Sequence, residues 1–418
     1  MQSAPAAVVA FSLFLFATGC ATKAPLACSD AGAKPRIATV YYATDREQQG
    51  GAESRFGPKR TDPPGLHLGI ERVSIGREHR LGKVDAAVAM AATNERTESA
   101  DGPRTDALRR TDAEITAFVN TTLRRAIRAT PRTTNGGTRP VLLFVHGYNT
   151  TYPEAVRKTA QLAGDLEFVT CSGDARGVAI AYSWPAQGKL LGYLADEENA
   201  EWTQQRLAPF IQALARVCRQ EGAELHLMAH SMGARALIRS LADLANSGGQ
   251  QAGTERLADH VVLLAPDIGK GLFDQYVERF LPLVGHLTIY VSARDRALSL
   301  SRLLHGGHQR VGLIESTLLA ALELTGLRRD DHRELGYGTR AVAEGRVDMI
   351  DVTGSFATQF GHSYEDPSFI RDLREVIYRD TPAGTGARSV LQQRETGPGV
   401  FLNMGKRQLR YFRLEPNS

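Results

Sequence analysis

Cysteine is scarce: the 418-residue chain carries four. That is too few for a fold stapled by disulfides, which needs many more in a much shorter chain. The four cysteines show no paired ligand spacing and no HExxH-type helix occurs, so neither a metal nor another cofactor is expected. A run of one sign of charge is missing too. Fifty Lys and Arg face 46 Asp and Glu, for a formal net charge of +4. The small excess forms no basic block that could track phosphates, which argues against a nucleic-acid partner. The apolar run Ala6 to Ala17 (AAVVAFSLFLFA) falls short of the roughly 20 residues a spanning helix needs. No internal repeat is evident. What remains is an ordinary globular composition, 42 % hydrophobic and 23 % charged. Disordered, collagenous and coiled-coil chains are thereby excluded.

The amino terminus reads as an address. Its short apolar run fits the hydrophobic region of a signal peptide, expected over residues 1–19, and Ala17, Thr18 and Gly19 lead directly into Cys20. Small residues before a cysteine resemble the lipobox of bacterial lipoproteins, in which that cysteine is acylated. Ala17 stands where the motif prefers Leu, and no basic residue precedes the run. Ala21 follows the cysteine, which resembles the pattern sent on to the outer membrane. Residues 20–35 would form a lipidated tether. The expected location is the cell envelope, lipid-anchored at the outer membrane and facing the periplasm.

One folded domain is expected over 36–378, with N-terminal strands in 36–90, a loop and helix in 91–140, and a core in 141–378. RIATVYYATDR and LGIERVSIG read as strands with a Gly/Pro-rich loop between them. Ile115, Phe118, Val119, Leu123 and Ile127 have helical spacing. From Val141 strands and helices alternate. PVLLFVHG is continuously apolar, as for a strand buried on both faces of a parallel sheet. Thr151 and Glu154 form a capping box for the helix that follows. Strands VAIAYSWP, LHLMAHS and VVLLAPD come next, each with a helical segment after it, then strand LTIYVSARD, and finally VDMIDVTG with a closing helix from about Pro367 to Tyr378. This predicts an α/β fold with a mostly parallel, doubly wound sheet and helices on both faces. The 379–418 tail is Gly/Thr-rich and reads as partly disordered.

The chemistry concentrates at the ends of these strands. Ala229-His230-Ser231-Met232-Gly233 lies between a buried strand and an amphipathic helix. A serine on that tight turn needs small residues two before and two after it. The turn lifts the Ser231 hydroxyl above the sheet, at a helix amino terminus where developing negative charge is favoured. His146-Gly147-Tyr148-Asn149 follows the first buried parallel strand, where an oxyanion hole would stand. Its donors would be the amides of Tyr148 and Met232, each worth roughly 3 kcal/mol in other hydrolases. His146 reads as a structural ring that holds its loop through a backbone hydrogen bond. Of the eleven histidines, His362 alone lies between the last predicted strand and the closing helix, where chain order Ser, acid, His puts the base. His305 and His308 come too early. Two acids end strands on the carboxyl edge, Asp295 and Asp267. Asp295 follows the strand next along and is assigned as the acid, with Asp267 as the alternative.

The segments YYATDR, FVHGYNTTYPEAV, AYSWP, LMAHSMGARAL, LLAPDI, VSARDRALSLSRLLHGG and GHSY together resemble the α/β-hydrolase superfamily. More narrowly they resemble an esterase/lipase-like family of uncharacterised bacterial hydrolases (DUF900-like). The resemblance runs from about Tyr41 to about Tyr364 and implies a reaction class, not a substrate. It implies a serine hydrolase of carboxylic esters, with Ser231, His362 and Asp295 as triad and a small-molecule or lipid ester as substrate. The same triad serves acyl transfer to another acceptor. A catalytically idle lipoprotein that binds envelope lipids or a partner is the reading from another class. Cys171 and Cys218 each precede a strand at one end of the sheet and are open to pairing or to remaining free thiols. Cys28 lies in the tether and is read as unpaired. Nothing in the sequence sets an oligomeric state.

Overall fold

A computed structural model describes residues 35–49, 55–83, 88–90, 107–132, 137, 139–189, 192–247, 255–313, 346–353, 366–379, 391–393 and 410–414. The signal peptide, Cys20, Cys28 and His362 lie outside the described residues.

One large sheet organises the chain. In chain order its strands are β1 (Arg36–Thr44), β4 (His67–Ile75), β5 (Val88–Met90), β6 (Arg139–Val145), β7 (Val178–Ser183), β8 (Ala223–His230), β9 (Ala258–Leu264), β10 (Val284–Val291), β11 (Val347–Asp351), β12 (Leu391–Gln393) and β13 (Arg410–Leu414). Across the sheet they run β12-β13-β11-β10-β9-β8-β6-β7-β1-β4-β5. Every neighbouring pair from β13 to β1 is parallel; only β12 and the β4–β5 edge run antiparallel. The short hairpin β2 (Arg46–Gln48) and β3 (Phe56–Arg60) stands apart, inside what reads as a Gly/Pro-rich loop.

The helices are α1 (Ala107–Phe118), α2 (Arg124–Ala129), α3 (Tyr152–Asp165), α4 (Tyr193–Glu221), α5 (Gly233–Ser247), α6 (Lys270–Phe280), α7 (Arg296–Leu304) and α8 (Pro367–Arg379). Side chains alternate across each strand, and on β6 both sets are apolar. Val141, Leu143 and Val145 join the core under α4 and α5, while Leu142 and Phe144 join the core under α8. That is why the β6 sequence shows no polar alternation. The capping box of α3 forms as expected, with the Thr151 amide donating to the Glu154 carboxylate at 2.7 Å.

Three expectations change. The helix expected over Ala113 to Ile127 is interrupted by a π-turn at Val119–Leu123. Its buried residues Ile115, Val119, Leu123 and Ile127 fall four apart, which on a 3.6-residue turn drifts by about 40° at each step. The wider turn keeps them on one face. VDMIDVTG is not the final strand. The tail supplies β12 and β13, and β13 pairs with β11 through Asp348↔Arg410 to Asp351↔Arg413. These runs are short and isolated, so periodicity did not mark them. Last, Cys171 and Cys218 are not joined to each other. Cys218 is a free thiol packed into the core from α4, and burial pushes its ionisation up. Cys171, on an exposed turn, is disulfide-bonded.

Candidate active site

The chain leaves β6 to lay down β7 on one side and then returns to place β8 on the other. Such a reversal opens a crevice outside the carboxyl ends of the two strands. The end of β6 and the end of β8 meet there.

Ser231 follows the last residue of β8 and has φ 51°. A non-glycine residue in the left-handed region costs about 1–3 kcal/mol and persists only where neighbours hold it. The holding bonds are present. The Ser231 amide donates to the Leu264 carbonyl at 2.9 Å, and the Asp267 amide donates to the Ser231 carbonyl at 3.1 Å. The end of β9 thus grips the turn from the side. From the other side, β6 presses close enough that glycine is required. A Cβ on Gly233 would lie 2.2 Å from the His146 carbonyl oxygen, and one on Gly147 would lie 2.7 Å from His230 Nδ1 and 3.0 Å from Ser231 Cβ. Sequence spacing anticipated Gly233, and the structure supplies the reason. Met232 immediately precedes α5, so its amide belongs to the first turn, where backbone donors lack helical partners.

Tyr148 stands in the loop after β6, and that loop is tied down from below. His146 is fully buried, stacks on Trp184 at a centroid distance of 5.0 Å, and bonds its own loop through Nδ1 and the Gly147 carbonyl at 2.7 Å. Burial, helped by the Arg46 charge, holds the imidazole well below its ordinary range, so it stays neutral. This is the structural role expected for it. Arg46 is the residue that sequence reasoning missed. Buried at the end of YYATDR, it donates to the Thr150 carbonyl at 2.7 Å, the Ala186 carbonyl at 3.0 Å and Ser183 Oγ at 2.9 Å. Burial lowers it to about 10, against the attraction of neighbouring Asp45. Asp45 is pushed by burial up to about 6 while it accepts from Thr203. The signal was available, because Asp-Arg ends an otherwise apolar strand.

The two candidate acids sit in different surroundings. The carboxylate of Asp267 is occupied on both oxygens. Tyr193 donates at 2.6 Å to one, and Ser301 donates at 2.7 Å to the other. Arg310 adds an ion pair at 3.5 Å. Asp295 is fully buried and caps α7, accepting from the Leu298 amide at 2.9 Å. The Tyr193 and Ser301 hydroxyl oxygens lie 2.7 Å apart, and the Tyr193 ring packs edge-on against Tyr148 at 5.5 Å. Neither residue was singled out in the sequence, since nothing local marks them. His305, set aside as too early for the base, bonds Glu197 at 3.0 Å and the Ser301 carbonyl at 2.7 Å. Ser231, Met232, Tyr148 and Asp267 are therefore brought to one crevice. Among the described residues no cluster of His, Cys, Asp and Glu could hold a metal ion.

The family comparison agrees with this architecture. Residues 124–326 match the model of a family described as "Alpha/beta hydrolase of unknown function (DUF900)". Among solved structures the chain is similar to dienelactone hydrolase from Anabaena variabilis ATCC 29413. The identity is 12 % and the TM-score 0.30, covering 57 % of this chain and 84 % of that one. No curated protein sequence matches. With a mostly parallel, doubly wound sheet between two helical layers, the chain has the α/β-hydrolase fold, and its residues 124–326 are similar to this hydrolase family.

Proposed function

We propose that this protein is a serine hydrolase of carboxylic esters. The observation that carries the reading is the strained Ser231 at the β8–α5 turn, gripped from β9 and pressed by β6 at the crevice of the sheet. A serine held in the left-handed region needs a reason, and presentation of its hydroxyl at a helix amino terminus is one.

In the proposed mechanism Ser231 Oγ attacks the ester carbonyl while His362 takes its proton. The carbonyl oxygen becomes an oxyanion facing the amides of Tyr148 and Met232. Collapse breaks the C–O bond, and the alcohol leaves with the proton from His362. Water, deprotonated by His362, then attacks the acyl-serine, and the acid product departs as Ser231 recovers its proton. Asp295 orients His362. Asp295 follows the strand beyond that of Asp267, where chain order Ser, acid, His places the acid, while Asp267 anchors Tyr193 and Ser301.

The same proposal places the domain at the cell envelope on an acylated Cys20, supported by the apolar run and the small residues before that cysteine. No helix of the described residues is long and apolar enough to cross a membrane. A fluorophosphonate probe tests the central claim. Labelling of the wild type that vanishes in Ser231→Ala is expected. A folded wild-type protein that takes up no probe and turns over no ester would make it a binding protein instead.

A further inference from the structure

Apolar side chains belong inside, yet α7 turns three leucines outward. Leu300, Leu303 and Leu304 are 58 %, 74 % and 55 % exposed, and Leu194, on the first turn of α4, is 70 % exposed. Scattered singly such residues need no account, but these share one region. Ser301 Oγ lies 2.7 Å from the hydroxyl of Tyr193, the neighbour of Leu194, and His305, next to Leu304, bonds Glu197 on α4 at 3.0 Å.

The opposite face of α7 touches the site. Ser301 donates to Asp267, whose amide holds the Ser231 carbonyl. The width of α7 and then Asp267 lie between the outer leucines and the nucleophile turn. The charge that this stretch shows at its surface is positive. From Arg294 to Leu313 the chain carries Arg294, Arg296 and Arg302 outside the core, while Arg310 is buried against Asp267 and the single acid, Asp295, is buried as the helix cap. Arg294 and Arg296 are exposed. On α4 the nearby acids are engaged, Glu197 with Arg235 and His305, and Glu198 with Arg60. Exposed leucines on a short helix, flanked by arginines, have the chemistry of a helix lying in the surface of an anionic bilayer.

We propose that α7 seats its leucine face in an anionic lipid surface and that the esters reaching Ser231 are drawn from that surface. The second half rests on Ser231 acting as the nucleophile; the docking itself does not. The experiment uses the full chain with Leu304→Trp, read against the wild type to subtract its own tryptophans, and vesicles of phosphatidylglycerol with brominated acyl chains. The new tryptophan should shift to the blue and be quenched, whatever other attachment the chain has. Neutral phosphatidylcholine vesicles, or about 1 M salt where the screening length is ~3 Å, should weaken the signal. Adding Leu300→Glu and Leu303→Glu should abolish it, and hydrolysis of a vesicle-borne ester should fall roughly tenfold per leucine removed. Turnover of a soluble short-chain ester should stay unchanged. An unquenched tryptophan, or one quenched equally in the Glu variants, overturns the docking. Quenching with no hydrolysis of either ester supports the docking and overturns the ester source.

Discussion

The strands β8, β9 and β10 carry polar residues at both ends, and the two ends are built differently. Near their amino ends His226, His260 and His286 stand in register on adjacent strands. His260 and His286 have ring centroids 4.9 Å apart, His260 bonds Thr288 at 2.8 Å, and His286 bonds Asp348 at 2.9 Å. All are buried in regular backbone. Just beyond the carboxyl ends come Ser231, Asp267 and Asp295, where the backbone leaves the strand and Ser231 and Ala265 take positive φ. The histidine end has the richer set of catalytic residue types, yet it is walled into the sheet. Side chains at the carboxyl end are lifted off the regular ladder, and the proposed chemistry is assigned there. On that reading a density of histidines is the poorer guide to a site and a strained turn the better one.

The contrast can be broken most sharply by Ser231→Ala, which should cut ester turnover by about 10⁶, as removal of a triad nucleophile does elsewhere. Unchanged kcat in that variant would move the chemistry out of the crevice. Next, Asp295→Asn should lower kcat by about 10⁴. Asp267→Asn should do much less, because its carboxylate anchors Tyr193 and Ser301. The reverse ranking, measured in steady-state kinetics, would make Asp267 the acid. Gly233→Ala puts a methyl against the His146 and Val145 carbonyl oxygens. It should cost about 3 kcal/mol by chemical denaturation and lower activity with it. At the other end, His286→Leu strips the buried Asp348 of a bonding partner and should cost about 1–3 kcal/mol. Its kcat should stay at the wild-type value, and a large loss of kcat would show that the two ends are coupled.

The smallest effect concerns pH. Asp45 titrates at about 6 in the folded protein, against an ordinary 3.8. Its folded pKa is raised, so its contribution to stability is fully present below about pH 4 and is lost as pH rises through 6. Asp45→Asn removes that dependence. The melting temperature of the wild type minus that of Asp45→Asn should therefore fall between pH 4 and 7. A difference that rises over this window would mean that the Arg206 and Arg46 charges outweigh burial.

The nucleophile turn was legible because its requirements are local. Small residues around Ser231, an apolar strand before and an amphipathic helix after all lie within one stretch of chain. The sheet was legible for a similar reason, since strands covered on both faces read as continuous apolar runs. Tyr193, Ser301 and Arg46 were not legible, because each acts through partners distant in sequence: Tyr193 reaches Asp267, and Arg46 reaches Thr150. The tail strands escaped notice because β12 and β13 are three and five residues long and find their place only against β11. The assignment of His362 rests on chain order alone.

The place of β1 in the sheet bears on where the chain can be cut. The family-matched stretch, 124–326, contains β6 to β10 and ends between β10 and β11. In the intact sheet β7 is covered by β1 and β10 by β11, so excising that stretch would strip both flanks at once. Two apolar strands of six and eight residues would then present unpaired amides and carbonyls to any other chain, a template for aggregation. Arg46 would leave with β1, taking its bonds to the Thr150 and Ala186 carbonyls. The recognisable core is thus a slice through the sheet that cannot be handled as a module, and a soluble truncation has to keep β1 on one side and β11 with β13 on the other.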